Sequence, residues 1–239
     1  MNQGTYPLAA SMVNQINRLD QISNNLANVN TNGFKQEGTT ETTFNHYLER
    51  SKNEGFVPTK INEVTNNIPK IDAKYINGEM GPIAPTGNNL DFALTQPDTF
   101  FKIQNQNGDI VYSRDGAFKV FDGFIVDSNG NNVLNGDNEP VLLEEGFENN
   151  IGVAQTPYTN LQKIGNNTYK LKDENEVLLF ENTDGLLEQG AIEKSNVNSV
   201  TAMVELIDAH RRFEQSQKAI STIDEINSKL IDKIGNNTR

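Results

Sequence analysis

Few residues of this chain have the type and spacing that a reaction needs. The two histidines, His46 and His210, are far apart in sequence, and no cysteine accompanies them. Neither stands in an H-E-x-x-H or comparable spacing, so neither begins a metal site. The chain has no G-x-S-x-G nucleophile turn, no P-loop and no dinucleotide fingerprint. Asp127-Ser128-Asn129-Gly130-Asn131-Asn132 resembles the start of a calcium loop, but Asn132 stands at the sixth position, where that loop requires glycine. The segment therefore reads as a hairpin turn. Glu144-Glu145 is the kind of acidic pair that glycoside hydrolysis employs, and here it reads as ordinary surface charge. No enzyme, cofactor or metal centre is expected. What the chain holds in quantity is apolar side chains at helical spacing, which is the chemistry of association.

Two such stripes lie at the ends. Leu8, Met12, Ile16, Leu19, Ile22, Leu26 and Val29 recur on average about every 3.5 residues. Val200, Val204, Ile207, Phe213, Ile220, Ile223, Ile226, Leu230 and Ile234 form the second stripe, interrupted by polar residues near Arg211 to Gln217. This period marks a helix that buries one seam against another helix. Neither has a helical neighbour in sequence, so the two must pair with each other, with other subunits, or both. Pro7 suits a first turn, and Asn28-Val29-Asn30-Thr31-Asn32-Gly33 suits a helix end. The polar face of the first helix is mostly amide (Asn14, Gln15, Asn17, Gln21, Asn24, Asn25), which is cheaper to bury among helices than charge. On the second helix Asp208 precedes Arg212, Glu214 precedes Lys218 and Glu225 precedes Lys229 by four residues, a stabilising order.

Between the helices the texture changes. Positions 37–74 have mixed charge and no sustained period, and read as an extended linker with short local structure. From Tyr75 onward short apolar runs (90–94, 100–103, 110–112, 118–121, 124–126, 169–171, 177–180) are punctuated by Asn107-Gly108, Asp115-Gly116, Asp122-Gly123 and Asn129-Gly130. Such dipeptides predict hairpins and an antiparallel sheet. The fold class expected is α+β. A terminal helical domain comprises 1–36 and 195–239 and pairs in coiled-coil fashion; a central antiparallel all-β domain covers 75–194.

Composition narrows the partners. Against 32 Asp and Glu the chain carries 20 Lys and Arg, a formal charge of −12, so nucleic-acid phosphates are not expected partners. No run of 18 apolar residues predicts a membrane-inserted helix. The first basic residue is Arg18 and no apolar h-region follows, so no cleaved secretory signal is expected either.

Four blocks in fixed order resemble a known family. Ser23-Asn24-Asn25-Leu26-Ala27-Asn28-Val29-Asn30-Thr31-Asn32-Gly33-Phe34-Lys35 is similar to the N-terminal signature of bacterial flagellar rod and hook proteins, and Gly190-Ala191-Ile192-Glu193-Lys194-Ser195-Asn196-Val197-Asn198 to their C-terminal signature. Thr86-Gly87-Asn88-Asn89-Leu90-Asp91-Phe92-Ala93 and Tyr112-Ser113-Arg114-Asp115-Gly116-Ala117-Phe118 resemble internal segments of the rod branch. Arg211-Arg212-Phe213-Glu214 is closer to the proximal rod protein adjoining the distal rod than to the distal pattern, Arg-Ala-Tyr-Glu. One departure is Pro97-Asp98-Thr99, where the family commonly has Gly-Asp-Gly, so a tight glycine turn is expected to be lost.

The resemblance implies a structural subunit of the flagellar basal-body rod, the periplasmic drive shaft that transmits torque. It also implies export by the flagellar type III apparatus without a cleaved signal. The partners implied are copies of the chain itself and other proximal and distal rod proteins. The assembly interface is expected on Leu8, Met12, Ile16, Leu19, Ile22, Leu26, Val29, Val200, Val204, Ile207, Arg211, Phe213, Ile220, Ile223 and Leu230. A distal rod or hook-family paralogue is the alternative, and a cell-wall-associated hydrolase a distant one.

Overall fold

The computed structural model describes residues 5–43, 69–180 and 185–236. His46 and the interior of the stretch read as a linker lie outside the described residues. The chain divides into two compact units. One gathers the terminal helices with a two-stranded ribbon; the other comprises Ala27–Gln36 and Ile76–Asn198.

In the first unit, α1 spans Thr5–Ala27 and α2 spans Ser199–Asn236. Between them in sequence, β1 (Glu37–Thr43) pairs with β2 (Pro69–Ile76), so the stretch read as a linker begins and ends in strands. Asn25, near the end of α1, holds the start of β1 with both halves of its amide. Its Nδ2 donates to Glu37 O at 2.8 Å, and its Oδ1 accepts from Glu37 N at 3.0 Å. The side chain thus supplies the backbone of β1 with the two bonds that a neighbouring strand would give, and it is buried.

The second unit is the β domain. Its main sheet runs β11 (Leu161–Gly165), β12 (Thr168–Leu171), β6 (Ile110–Ser113), β5 (Thr99–Gln104), β9 (Asn132–Val133), β8 (Phe124–Val126), β7 (Lys119–Phe121). A branch adds β10 (Val153–Gln155) to β5 and β13 (Leu178–Leu179) to β10. Two small sheets pair β3 (Ile83–Pro85) with β15 (Ala191–Glu193) and β4 (Phe92–Leu94) with β14 (Leu187–Gln189). The pairings of this unit are antiparallel, as the turn dipeptides predict.

Residues 99–103 of β5 are all buried, because the strand is covered on both faces. Successive side chains point to opposite faces. Phe101 and Ile103 join one core with Phe92, Leu94, Phe118, Ile125 and Phe147, while Phe100 joins another with Tyr112, Leu161 and Tyr169. Edge-to-face contacts, such as Phe101 on Phe118 with centroids 5.0 Å apart, order the first core. Leu90 packs against it beside Phe92 and Leu94, as their alternation predicts.

Three of the four hairpin dipeptides act as turns, with Gly108, Gly123 and Gly130 all at positive φ. At the last of these Asp127 Oδ1 accepts from the backbone of Asn129 and Asn131, each at 2.8 Å, so the calcium-like segment is a hairpin turn fastened by its own carboxylate. Asp115-Gly116 is not a hairpin. Gly116 is required there because a Cβ would fall on the Phe92 carbonyl oxygen. The expected loss of a turn at Pro97-Asp98-Thr99 does not occur either: Asp98 takes the left-handed conformation itself, at φ 55°.

Candidate assembly site

The two helices present apolar side chains in an arrangement that hydrophobicity alone does not reveal. On α2 the covered stripe is Ala202, Leu206, Ala209, Phe213, Ser216, Ile220, Ile223 and Asn227, in alternating steps of four and three. Ala202 and Ala209 are buried, and the others half-buried. A second stripe, Val200, Val204 and Ile207, lies two residues away, roughly 200° around the helix. It stands 70%, 61% and 52% exposed. The first part of α2 is therefore apolar on two opposite sides, one covered and one bare. Leu230 and Ile226 farther along are also exposed.

On α1, Ile22 is buried, Leu8, Met12, Leu19 and Leu26 are half-buried, and Ile16 is exposed beside Val13; Val29, expected on the same helix, is half-buried in the turn that follows its end at Ala27. The covered side of this helix includes amides, with Asn14, Gln15 and Asn25 all buried. Arg211 is exposed and makes no ion pair among the described residues, whereas Arg212 Nε lies 2.9 Å from Asp208 Oδ2. Glu214 approaches His210, with Oε1 3.5 Å from Nδ1.

Sequence reasoning named the helix seams but missed the junction between the signature blocks in the β domain. Glu193 is its hub. Its carboxylate accepts from Lys35 Nζ at 2.7 Å, Arg114 Nε at 2.6 Å and the Gly81 backbone N–H at 2.8 Å. Lys35, Arg114 and Glu193 are essentially inaccessible to solvent. Charges so placed persist only when fully hydrogen-bonded, and backbone carbonyls complete the set. Lys35 also donates to Glu79 O at 2.6 Å, and Arg114 Nη1 donates to Thr99 O at 2.7 Å and Gln96 O at 3.1 Å. Desolvation pushes the Lys35 pKa below its ordinary value, with the Glu193 charge opposing it.

The backbone follows the same plan. Gly33 N donates to Glu193 O at 2.8 Å, and a Cβ on Gly33 would collide with the Arg114 carbonyl. Gln36 N donates to Asn196 Oδ1 at 2.7 Å, while Asn196 Nδ2 reaches Asn77 O and Glu79 O. Gly190 N donates to Asp91 O, and Gly190 O accepts from Thr86 and Gly87. All four blocks thus meet in one junction. It is packed and saturated, with the chemistry of a brace rather than of a site that turns over substrate. Among the described residues no group of three or more His, Cys, Asp or Glu is placed to hold a metal ion. No described helix is long and apolar enough to cross a membrane.

Comparisons with known proteins agree with these blocks. The profile "Flagella basal body rod protein" matches residues 11–35, "Flagellar hook protein FlgE/F/G D1 domain" matches 96–165, and "Flagellar basal body rod FlgEFG protein C-terminal" matches 188–233. The flagellar basal-body rod protein FlgG of Buchnera aphidicola (subspecies Acyrthosiphon pisum) is 30% identical, over 90% of this chain and 93% of the relative. The flagellar hook-basal body complex protein FlhO of Bacillus subtilis is 27% identical over 98% of this chain and 99% of its own length. FlgF of Rhizobium meliloti, also a flagellar basal-body rod protein, is 27% identical over the same shares. Similarity running nearly end to end, through every block of the junction, means that this chain belongs to the flagellar basal-body rod protein family.

Proposed function

We propose that this chain is a structural subunit of the flagellar rod, polymerising with copies of itself and with other rod proteins into the periplasmic shaft that transmits torque. The observation that carries this reading is the bare apolar stripe of Val200, Val204 and Ile207 on a helix whose opposite side is already covered. A helix apolar on two sides is suited to a packed bundle of subunits. Length supports the same view. α2 has 38 residues against 23 in α1, so at 1.5 Å per residue about 22 Å of α2 extends beyond anything α1 can flank.

In this proposal the helices, with the boundaries 1–36 and 195–239, form a coiled-coil-like inner layer, and 75–194 form an outer β layer. The residues expected at the interface divide by their state in the single chain. Ile16, Val200, Val204, Ile207, Arg211 and Leu230 meet neighbouring subunits; Leu8, Met12, Leu19, Ile22, Leu26, Val29, Phe213, Ile220 and Ile223 line the seam already partly covered. Apolar area buried on assembly contributes about 25 cal/mol per Å². Export through the flagellar type III apparatus without a cleaved signal belongs to the same reading. Arg211-Arg212-Phe213-Glu214 favours the proximal part of the shaft. Basal bodies purified from a strain lacking the gene test both levels. The expected result is a rod that stops before its distal segment, without a hook; a complete rod and hook would overturn the assignment.

A further inference from the structure

The β domain holds a buried lysine that the junction does not use. Lys102 shares the Phe100 face of β5 and is 1% exposed. Its ammonium donates to Gly136 O at 3.0 Å, the one hydrogen bond it makes among the described residues. An ammonium has three donors. Desolvation lowers its pKa, against the opposing charge of Asp137. Lys102 lines a pocket of about 280 Å³ together with Lys170, Tyr112, Asn138 and the aliphatic side chains Ile110, Leu171, Val177 and Leu179. Two lysines in a pocket with mostly apolar walls suit an apolar segment that bears carboxylates.

The rim of this pocket is itself unprotected. β13 is the end of its branch, and its Leu178 and Leu179 are 67% and 53% exposed. Edge strands that stay in water are usually blunted by charge. The complementary chemistry occurs on the same domain, at the β7–β8 end of the main sheet. There Leu142 bridges Phe124 and Leu143 N donates to Gly123 O. Leu142 and Leu143 are 46% and 47% exposed and run directly into exposed Glu144 and Glu145. In a chain of net charge −12 a basic apolar pocket is the exception, and an acidic apolar segment is its natural counterpart.

We propose that the Lys102–Lys170 pocket receives the Leu142–Glu145 segment of a second copy of this chain. The contact is head to tail, because pocket and segment are different surfaces, and such contacts propagate instead of closing into a dimer. It rests on the rod reading above and supplies that reading with a subunit contact in the β layer.

The absence of cysteine gives a clean test in cells assembling flagella. Leu179→Cys and Leu143→Cys in one chain should give a ladder of disulfide-linked oligomers after mild oxidation. Each single variant should give none, and co-expressed single variants should give dimers. Basal bodies that contain the double variant yet yield no ladder would overturn the contact and leave the rod reading standing. Dimers from either single variant would also overturn it, since they mark a like-to-like contact. Absence of the unmodified chain from basal bodies would overturn the rod reading itself. Independently, Lys170→Glu should lower the amount of chain in basal bodies several-fold, and Glu144→Lys with Glu145→Lys should restore it. Failure of that restoration counts against the pairing.

Discussion

Arg114 Nε lies 2.6 Å from Glu193 Oε2, and neither side chain is reached by water. The pair joins a central block to the C-terminal block, and Lys35 brings the N-terminal block to the same carboxylate. Removing the anion should therefore be costly. Glu193→Ala leaves two buried cations facing no charge and should destabilise the β domain by about 3–5 kcal/mol. Urea unfolding followed by tyrosine fluorescence, in a chain with no tryptophan, measures this. Glu193→Gln keeps one acceptor oxygen and should lose less. A midpoint for Glu193→Ala equal to that of the unmodified protein would exclude the network as a major support.

Gly33 and Gly116 should tolerate alanine worse than Gly130 does. At Gly130 a Cβ enters open space, so only the left-handed backbone is penalised, by about 1 kcal/mol. At the other two the Cβ meets backbone that cannot swing aside. Gly116→Ala, without any positive φ, should still cost about 2 kcal/mol through overpacking alone. Comparable thermal midpoints for Gly116→Ala and Gly130→Ala would contradict this ranking.

The pH dependence of stability should change at Asp115. Desolvation raises its carboxyl pKa above 3.8, against the opposing bonds from Ala117 N and Ser128 Oγ. Between 3.8 and the raised value the folded state binds more protons than the unfolded one, so this group's contribution falls as pH rises through that window. Asp115→Asn removes that fall while keeping an acceptor for Ala117 N and leaving the Ser128 hydroxyl free to reverse its bond. The variant's stability relative to the unmodified protein should rise with pH through the window and then level off. A relative stability that declines with pH would refute the sign.

On the helices, Ile207→Asp should separate folding from assembly. Ile207 is half exposed in the single chain, so the substitution should alter stability by no more than about 0.5 kcal/mol. Incorporation into basal bodies should nevertheless fall sharply, since the charge would be buried unpaired in a bundle. Normal motility would remove Ile207 from the interface.

Arg211→Ala should impair rod assembly more than Arg212→Ala. Arg212 is held by Asp208 in an exposed pair worth under about 1 kcal/mol, while Arg211 faces outward and stays available to another subunit. Swarming diameters of the two variants give the comparison, and equal diameters would assign both arginines to solvation.

The β domain was largely legible because its signals are local: alternating apolar runs end in Asn-Gly and Asp-Gly turns. Asp115-Gly116 shows where this fails, since a glycine required by a neighbour's carbonyl looks the same in sequence as one required by a turn. The helix faces were legible only in part. Hydrophobicity selects Val200, Val204 and Ile207, yet the side that α2 covers runs through Ala202, Ala209, Ser216 and Asn227, residues whose size or polarity hides them from such a pattern. The Lys35–Arg114–Glu193 network carries no local signal at all, because its members are far apart in sequence and buried charge is not announced by composition. Only their places inside three of the four signature blocks hinted at a shared role.

The stitching of residues 33–36 to 193–196 also decides how the β domain responds to being pulled. Gly33 N on Glu193 O, Gln36 N on Asn196 Oδ1, and the Lys35–Glu193 bridge all connect the stretch by which the chain first enters the domain to the stretch by which it finally leaves. Tension applied across these two stretches is taken by several bonds at once, with two ionised groups among them. The intervening sheet is thereby shunted out of the force path, much as a strap across a coil of rope keeps the coil from paying out.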